Sequence, residues 1–234
     1  MDGKAQVNVR RQSWDRNIFA NVVAGEYGDI AFSGTTVVDI GAHIGSFSIL
    51  AATRGARRIL AYEAWAENFE LLVMNCRTLP AVECHHAAVW RSDVGDAVLD
   101  WRAAANPDNT GGGTVIDCAS VAGEPIAGQK RCAVRAIPFD DIVDRVGDID
   151  VLKIDAEGSE YPILYTSRKL DRVRTIVGEY HAVAGLAERM GLPGAPDWNV
   201  DRLREHLERH GFDVATRDNG CLGIFRAERR RPLR

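Results

Sequence analysis

The chain has 234 residues, a formal net charge of −4, 46% hydrophobic and 26% charged residues. That length supports one domain with a sizeable core, and the mild acidic balance argues against a broad nucleic-acid surface. Met1–Arg16 lack the apolar stretch of a signal peptide, and nowhere is there an apolar run of about 18 residues, so neither secretion nor a membrane span is expected. The five cysteines, Cys76, Cys84, Cys118, Cys132 and Cys221, show neither Cys-x-x-Cys nor zinc spacing, which suits a reduced, cytoplasmic protein.

In chain order, Trp14, Ile18, Phe19 and Val22 recur at helical spacing and predict a helix over Trp14–Gly25. Val37–Ile40 reads as the first core strand and Gly45–Arg54 as a crossover helix. Arg58–Glu63 follows as a second strand, then a helix over Glu67–Leu79 that ends at Pro80, and a third strand over Val82–Val89. Trp90–Arg135 reads as an irregular span, followed by a short helix over Phe139–Arg145. Asp150–Asp155 and Arg174–His181 read as the fourth and fifth strands. Asn199 is placed to cap a helix carrying Val200, Leu203 and Leu207, which Gly211 ends. Phe212–Thr216 and Leu222–Arg226, joined through Asp218-Asn219-Gly220, carry a hairpin signal. The expected fold is therefore α/β: a doubly wound, mostly parallel, seven-stranded Rossmann-like sheet ending in an antiparallel hairpin. It would form one domain over 1–234, with an N-terminal helical segment 1–34 and a frayed, arginine-rich tail 226–234.

The stretch Val37-Val38-Asp39-Ile40-Gly41-Ala42-His43-Ile44-Gly45-Ser46-Phe47 reads as strand, tight turn and helix. Gly41 would let the backbone approach a ligand closely, and Gly45 would let the helix pack on the strand. A dinucleotide fingerprint needs G-x-G-x-x-G, absent here. A carboxylate at Asp39 would repel a pyrophosphate and suit a cationic group. S-adenosylmethionine, with an ammonium, a sulfonium and no phosphate, fits that pattern. In open parallel sheets the ligand lies at the carboxyl ends of the strands. Glu63, ending the second strand, could accept both ribose hydroxyls, and the small residues Ala87-Ala88-Val89 could border an adenine ring.

The fourth strand runs into Lys153-Ile154-Asp155-Ala156-Glu157-Gly158-Ser159-Glu160. Together with Val38-Asp39-Ile40-Gly41-Ala42 and Tyr62-Glu63, this element resembles the FkbM family of S-adenosylmethionine-dependent methyltransferases over roughly Glu26–His181. The resemblance implies a class I methyltransferase fold and O-methylation of hydroxyls on sugars or natural products. It also implies cofactor contacts from Tyr27, Asp39, Gly41, His43, Gly45, Ser46, Phe47, Glu63, Ala64, Ala88 and Asp155. His43 stands where the family usually has asparagine, and Ala64 where proline is common. Tyr161-Pro162 breaks the apolar pattern after Glu160, which would redirect the next helix. The insertion Asn106–Gly113 and the loop Ala182–Trp198 have no clear family counterpart, and Trp90–Arg135 with Ala182–Trp198 are expected to shape the acceptor pocket.

Methyl transfer to an aliphatic hydroxyl calls for a base or a metal. Asp155 ends the fourth strand, and Glu179 and His181 lie two apart on the fifth. His181, with a reference pKa near about 6.5, is the expected general base. Asp155 and Glu179 would orient it or hold a divalent cation such as Mg²⁺. Lys153 is read as a structural ion-pair partner, and Trp90, Trp101 and Trp198 as candidates for an acceptor pocket. The expected partner is a small hydroxylated acceptor, with no nucleic acid and no membrane, and a homo-oligomer left open. Two other readings stand: an NAD-linked oxidoreductase, opposed by the missing fingerprint and the terminal hairpin, and a non-catalytic partner subunit that binds S-adenosylmethionine, opposed by the three retained strand-end groups.

Overall fold

The structure is a computed structural model that describes residues 7–115, 130–181, 198–218, 222–231 and 233. In chain order its strands are β1 (Thr36–Ile40), β2 (Arg58–Glu63), β3 (Val82–His86), β4 (Ala88–Trp90), β5 (Ala97–Arg102), β6 (Arg131–Pro138), β7 (Ile149–Ile154), β8 (Val173–His181), β9 (Phe212–Asp218) and β10 (Leu222–Arg229). Its α-helices are α1 (Asp15–Val23), α2 (Ser46–Thr53), α3 (Ala66–Cys76), α4 (Phe139–Val146), α5 (Glu160–Thr166) and α6 (Val200–Arg209).

Seven strands form one sheet in the order β3-β2-β1-β7-β8-β10-β9. β3, β2, β1, β7 and β8 run parallel, and β10 enters antiparallel between β8 and β9. Every residue of β1 is buried, because helices cover both faces of a central parallel strand and leave no solvated side. The order reverses between β1 and β7, so a crevice opens at their carboxyl ends. On one face Phe47 of α2 meets Tyr27 and Phe32 edge to face, with centroids 5.6 and 5.5 Å apart. On the other, α4 buries Phe139, Ile142 and Val143. Asn199 caps α6 through its side chain, which accepts from the Arg202 amide at 3.0 Å.

Four expectations need correction. The third strand is not continuous over Val82–Val89: it breaks at Ala87, and β4 leaves the main sheet. The span Trp90–Arg135 is not wholly irregular, since β4, β6 and β5 form a separate three-stranded sheet. Arg226–Arg229, assigned to the tail, complete β10 and pair with β8 and β9. Pro162 lies in the first turn of α5, where its missing N–H has no helical acceptor to lose, so Tyr161-Pro162 starts the helix rather than deflecting it. The expected Asn219-Gly220 turn and loop residues 182–197 lie outside the described residues.

Candidate active site

A cavity of about 320 Å³ lies at the carboxyl ends of β1, β2, β7 and β8, roofed by α1 and by residues 109–115. Tyr27, Gly41, His43, Ser46, Phe47, Glu63, Ala64, Ala88 and Asp155 all line it, as do Glu179 and His181. Asp39 and Gly45, also expected at the cofactor, are not among the lining residues.

Asp39 is fully buried. Its carboxylate accepts from Ser48 Oγ at 2.7 Å and faces Lys153 Nζ at 3.4 Å. The cation it meets is thus a side chain of β7 and not a ligand. Lys153 Nζ also donates to the carbonyls of Gly41 at 2.6 Å and Ile40 at 3.2 Å, which ties the glycine turn to β7. Burial alone would lower the Lys153 pKa, but Asp39 and then Asp155 outweigh it and raise it.

Gly41 has φ +72°, and a Cβ on it would sit 1.8 Å from the backbone oxygen of Asp155. The absent side chain admits the neighbouring strand end, while the Gly41 backbone lines the cavity. Gly45, at φ +98°, opens α2, and a Cβ there would meet Leu72 at 3.0 Å and Cys76 at 3.2 Å. It serves the packing of α2 on α3, not on the strand. His43 has φ +54°, a region that asparagine and histidine tolerate better than most side chains.

Glu63 is buried and accepts from the His43 amide at 2.8 Å, the Trp65 amide at 2.9 Å and Asn68 Nδ2 at 3.3 Å. These bonds aim its carboxylate at the cavity and leave lone pairs for further donors. Beside it Ala64, Ala87, Ala88, Val89 and Trp101 make an apolar wall. Trp101 stacks on Trp65 with centroids 5.1 Å apart, and Gly113 lies against its ring, where a Cβ would clash at 1.9 Å. Of the three tryptophans considered for the acceptor pocket, only Trp101 lines the cavity. Trp198 instead stacks on Tyr161 at 5.6 Å, and Trp90 is buried in the core.

The opposite end of the cavity is acidic. Asp155 Oδ2 accepts from Tyr27 Oη at 3.1 Å, and Glu26, Glu157 and Glu179 also line this end. Glu160 is fully buried, and its two oxygens accept from the amides of Ala156 at 2.6 Å and Gly158 at 2.8 Å. It thereby shapes the loop that follows β7. Glu157, on that loop at φ +51°, presents its carboxylate to His181 Nε2 at 3.2 Å. Burial pushes Glu157 up to about 8, opposed by His181 and reinforced by Asp155. Burial and then Asp155 push Glu179 up to about 7.

His181 corrects the sequence reading. Burial would lower its pKa, but Glu160 and then Glu157 and Asp155 raise it to about 11. The surrounding acids thus favour the protonated imidazole, which weighs against His181 as the general base. The expected cation site also fails. Among the described residues the ligand atoms that converge within 4.8 Å belong to Asp155, Glu157 and His181, without Glu179. Mg²⁺ favours all-oxygen donor sets, so a set that includes an imidazole nitrogen suits it poorly.

Sequence reasoning left Glu157 undecided and missed Asp15, Asn68 and Thr110. No local signal marks these last three, because they come from α1, α3 and the insertion and meet only after folding.

The residues fit S-adenosylmethionine. The acidic end suits its cationic groups, Glu63 its ribose hydroxyls, and the apolar wall its adenine. The hydroxyls of Ser46 and Ser159, both buried and both lining the cavity, have no hydrogen-bond partner among the described residues. Among solved structures, the chain is similar to a methyltransferase FkbM from Methylobacillus flagellatus KT, with TM-score 0.50 and 15% identity over 85% of this chain and 44% of that one. It is also similar to Aeropyrum pernix fibrillarin, determined with natively bound S-adenosyl-L-methionine, with TM-score 0.50 and 11% identity over 90% and 74% of the chains. Among curated proteins, the AMB antimetabolite synthetase AmbE of Pseudomonas aeruginosa is 26% identical over 88% of this chain, which spans 11% of that protein's length.

The fold is that of the class I S-adenosylmethionine-dependent methyltransferases. The family profile of the methyltransferase FkbM domain matches residues 39–214, and the chain belongs to that family. Among the described residues, no helix is long and apolar enough to cross a membrane.

Proposed function

We propose that this methyltransferase acts on a hydroxyl oxygen of a sugar or other natural product, with Glu179 as the general base. The observation that carries this reading is a carboxylate, Glu179, beside Asp155 and Glu157 at the acidic end of the cavity. Glu179 is pushed up to about 7 and lines the cavity with Asp155. An aliphatic hydroxyl holds its proton tightly, so O-methylation gains most from a base whose pKa lies near the working pH. A neutral amine needs no such help.

When bound, S-adenosylmethionine supplies an electrophilic methyl group on a sulfonium. Asp155, Glu26 and Glu157 stabilise positive charge at that end of the cavity. Glu63 would hold the cofactor's ribose hydroxyls, and Ala88 with Trp101 would confine its adenine. Glu179 would take the proton of the acceptor hydroxyl while the cofactor's methyl group passes to that oxygen and S-adenosylhomocysteine leaves. His181 stays protonated and, at 3.2 Å from Glu157 and 3.9 Å from Glu179, holds the carboxylates in place. The similarity to a stretch of an antimetabolite synthetase adds support for a tailoring step in natural-product assembly.

The test is incubation with S-adenosylmethionine and a panel of hydroxylated sugars and glycosylated natural products, read by mass spectrometry. A one-methyl gain placed on oxygen by fragmentation supports the reading. Transfer only to nitrogen or carbon acceptors would overturn it.

A further inference from the structure

Three segments far apart in the chain meet at one buried carboxylate above the cavity. Asp15, at the start of α1, is fully buried. Its Oδ1 accepts from Thr110 Oγ1 at 2.6 Å and lies 3.3 Å from His43 Nε2. Its Oδ2 accepts from the Arg10 amide and from Arg10 Nε, both at 2.9 Å. Burial would raise the pKa of Asp15, but His43, Arg10 and Thr110 hold it well below the usual range. The carboxylate is therefore an acceptor, and the Thr110 hydroxyl gives its proton to it. Thr110 Oγ1 is then left to accept from His43 Nε2, 2.9 Å away, so that nitrogen carries a proton.

The same cluster reaches Glu63 by two routes. His43 donates its amide to Glu63 Oε2. Asn68 takes a hydrogen bond from Arg10 Nη2 at 2.6 Å and gives bonds to Glu63 Oε1 and to the Thr110 carbonyl. The roof is stitched further where the Trp14 amide donates to the Asp108 carbonyl at 2.9 Å. Trp14 and Ile18 of α1 line the cavity from one side, Asn109 and Thr110 from the other.

We propose that Asp15, Thr110 and His43 form a clasp that closes the roof over the cofactor cavity, with Asp15 as the positioning residue that keeps Glu63 aimed at the ribose. The inference rests on the methyltransferase reading. Each clasp residue is more than nine-tenths buried, and together they join α1, the glycine turn and the insertion. A buried anion stripped of one donor is costly, so the three parts hold or release as a unit. Cofactor exchange, which needs the roof to part, is set by this unit.

The experiment compares wild type with Thr110→Val, Thr110→Ser and Asp15→Asn in two measurements. One is amide hydrogen exchange of the ligand-free protein. The other is the dissociation rate of S-adenosylhomocysteine by stopped flow. Thr110→Val should lose protection at Trp14 and over 106–114 while β1 and β7 keep theirs, and dissociation should speed up about tenfold, the value of one hydrogen bond to a charged group. Thr110→Ser, which keeps the hydroxyl, should restore both, and Asp15→Asn should match or exceed Thr110→Val. Unchanged protection in Thr110→Val overturns the clasp whatever the protein binds. Lost protection with an unaltered dissociation rate reduces the cluster to a local prop and also overturns it. Wild-type protein that fails to bind S-adenosylhomocysteine overturns the methyltransferase reading, and the clasp's role in cofactor exchange with it.

Discussion

The backbone oxygen of Asp155 occupies the space that a Cβ on Gly41 would need, at 1.8 Å. The turn after β1 and the end of β7 are thus pressed together, and Lys153 bonds the Gly41 carbonyl from the same side. Gly41→Ala should force the two strand ends apart. The expected cost is about 2–5 kcal/mol, from overpacking added to a left-handed backbone, read as a lowered thermal midpoint. Stability within error of wild type would show that the strand ends yield freely.

Glu63 is held by three protein donors, so its replacement touches the fold as well as the ligand, and binding is compared on protein whose thermal midpoint shows it folded. Glu63→Gln should weaken S-adenosylhomocysteine binding by about tenfold or more, since hydrogen bonds to a charge contribute roughly 1.5–3 kcal/mol each. Calorimetry measures it, and equal affinities would remove Glu63 from the ribose site.

The base assignment makes a demand on pH. At limiting S-adenosylmethionine, kcat/KM should rise with pH through about 7 as Glu179 of the free enzyme loses its proton. Glu179→Gln should abolish that limb and lower kcat by about 10²–10⁴-fold, the usual effect of losing a general base. His181→Gln should cost less and keep the limb. A limb that vanishes with His181 instead would return the base to histidine.

Binding a cation next to Glu157 and Glu179 should lower both pKa values from about 8 and about 7. S-adenosylmethionine should therefore release protons on binding between pH 7 and 8. Calorimetry in buffers of different ionisation heat reads the number directly. No net release in that window would mean that these carboxylates do not face the cofactor's charge.

Away from the site, His206 is buried, donates to the Leu164 carbonyl at 3.0 Å, and is pushed down to about 4 by burial, with His210 adding to the effect. Between about 4 and 6.5 the unfolded chain then binds more protons at this histidine than the folded one does. Its contribution to stability is present above about 6.5 and is lost as pH falls towards 4. The fall in thermal midpoint over that window should be shallower in His206→Gln, and parallel curves would contradict it.

Much of the fold could be read from local pattern alone, because period and punctuation are properties of neighbouring residues. The β1–turn–α2 unit, Glu63 at the end of β2, the Asn199 cap and the antiparallel ending all follow from residues a few positions apart. The same holds for the family motif that runs from Lys153 to Glu160. Tertiary structure alone decided what depends on partners far along the chain. Whether residues 82–90 made one strand or two rested on β6, some 45 residues away, to which β4 pairs. Asp39 carries the right chemistry for a ligand's cation, yet Lys153 from the next strand reached it first. His181 has the right intrinsic pKa for a base, but four acids that fold around it hold its proton in place, since charge and burial are sums over space and not over sequence.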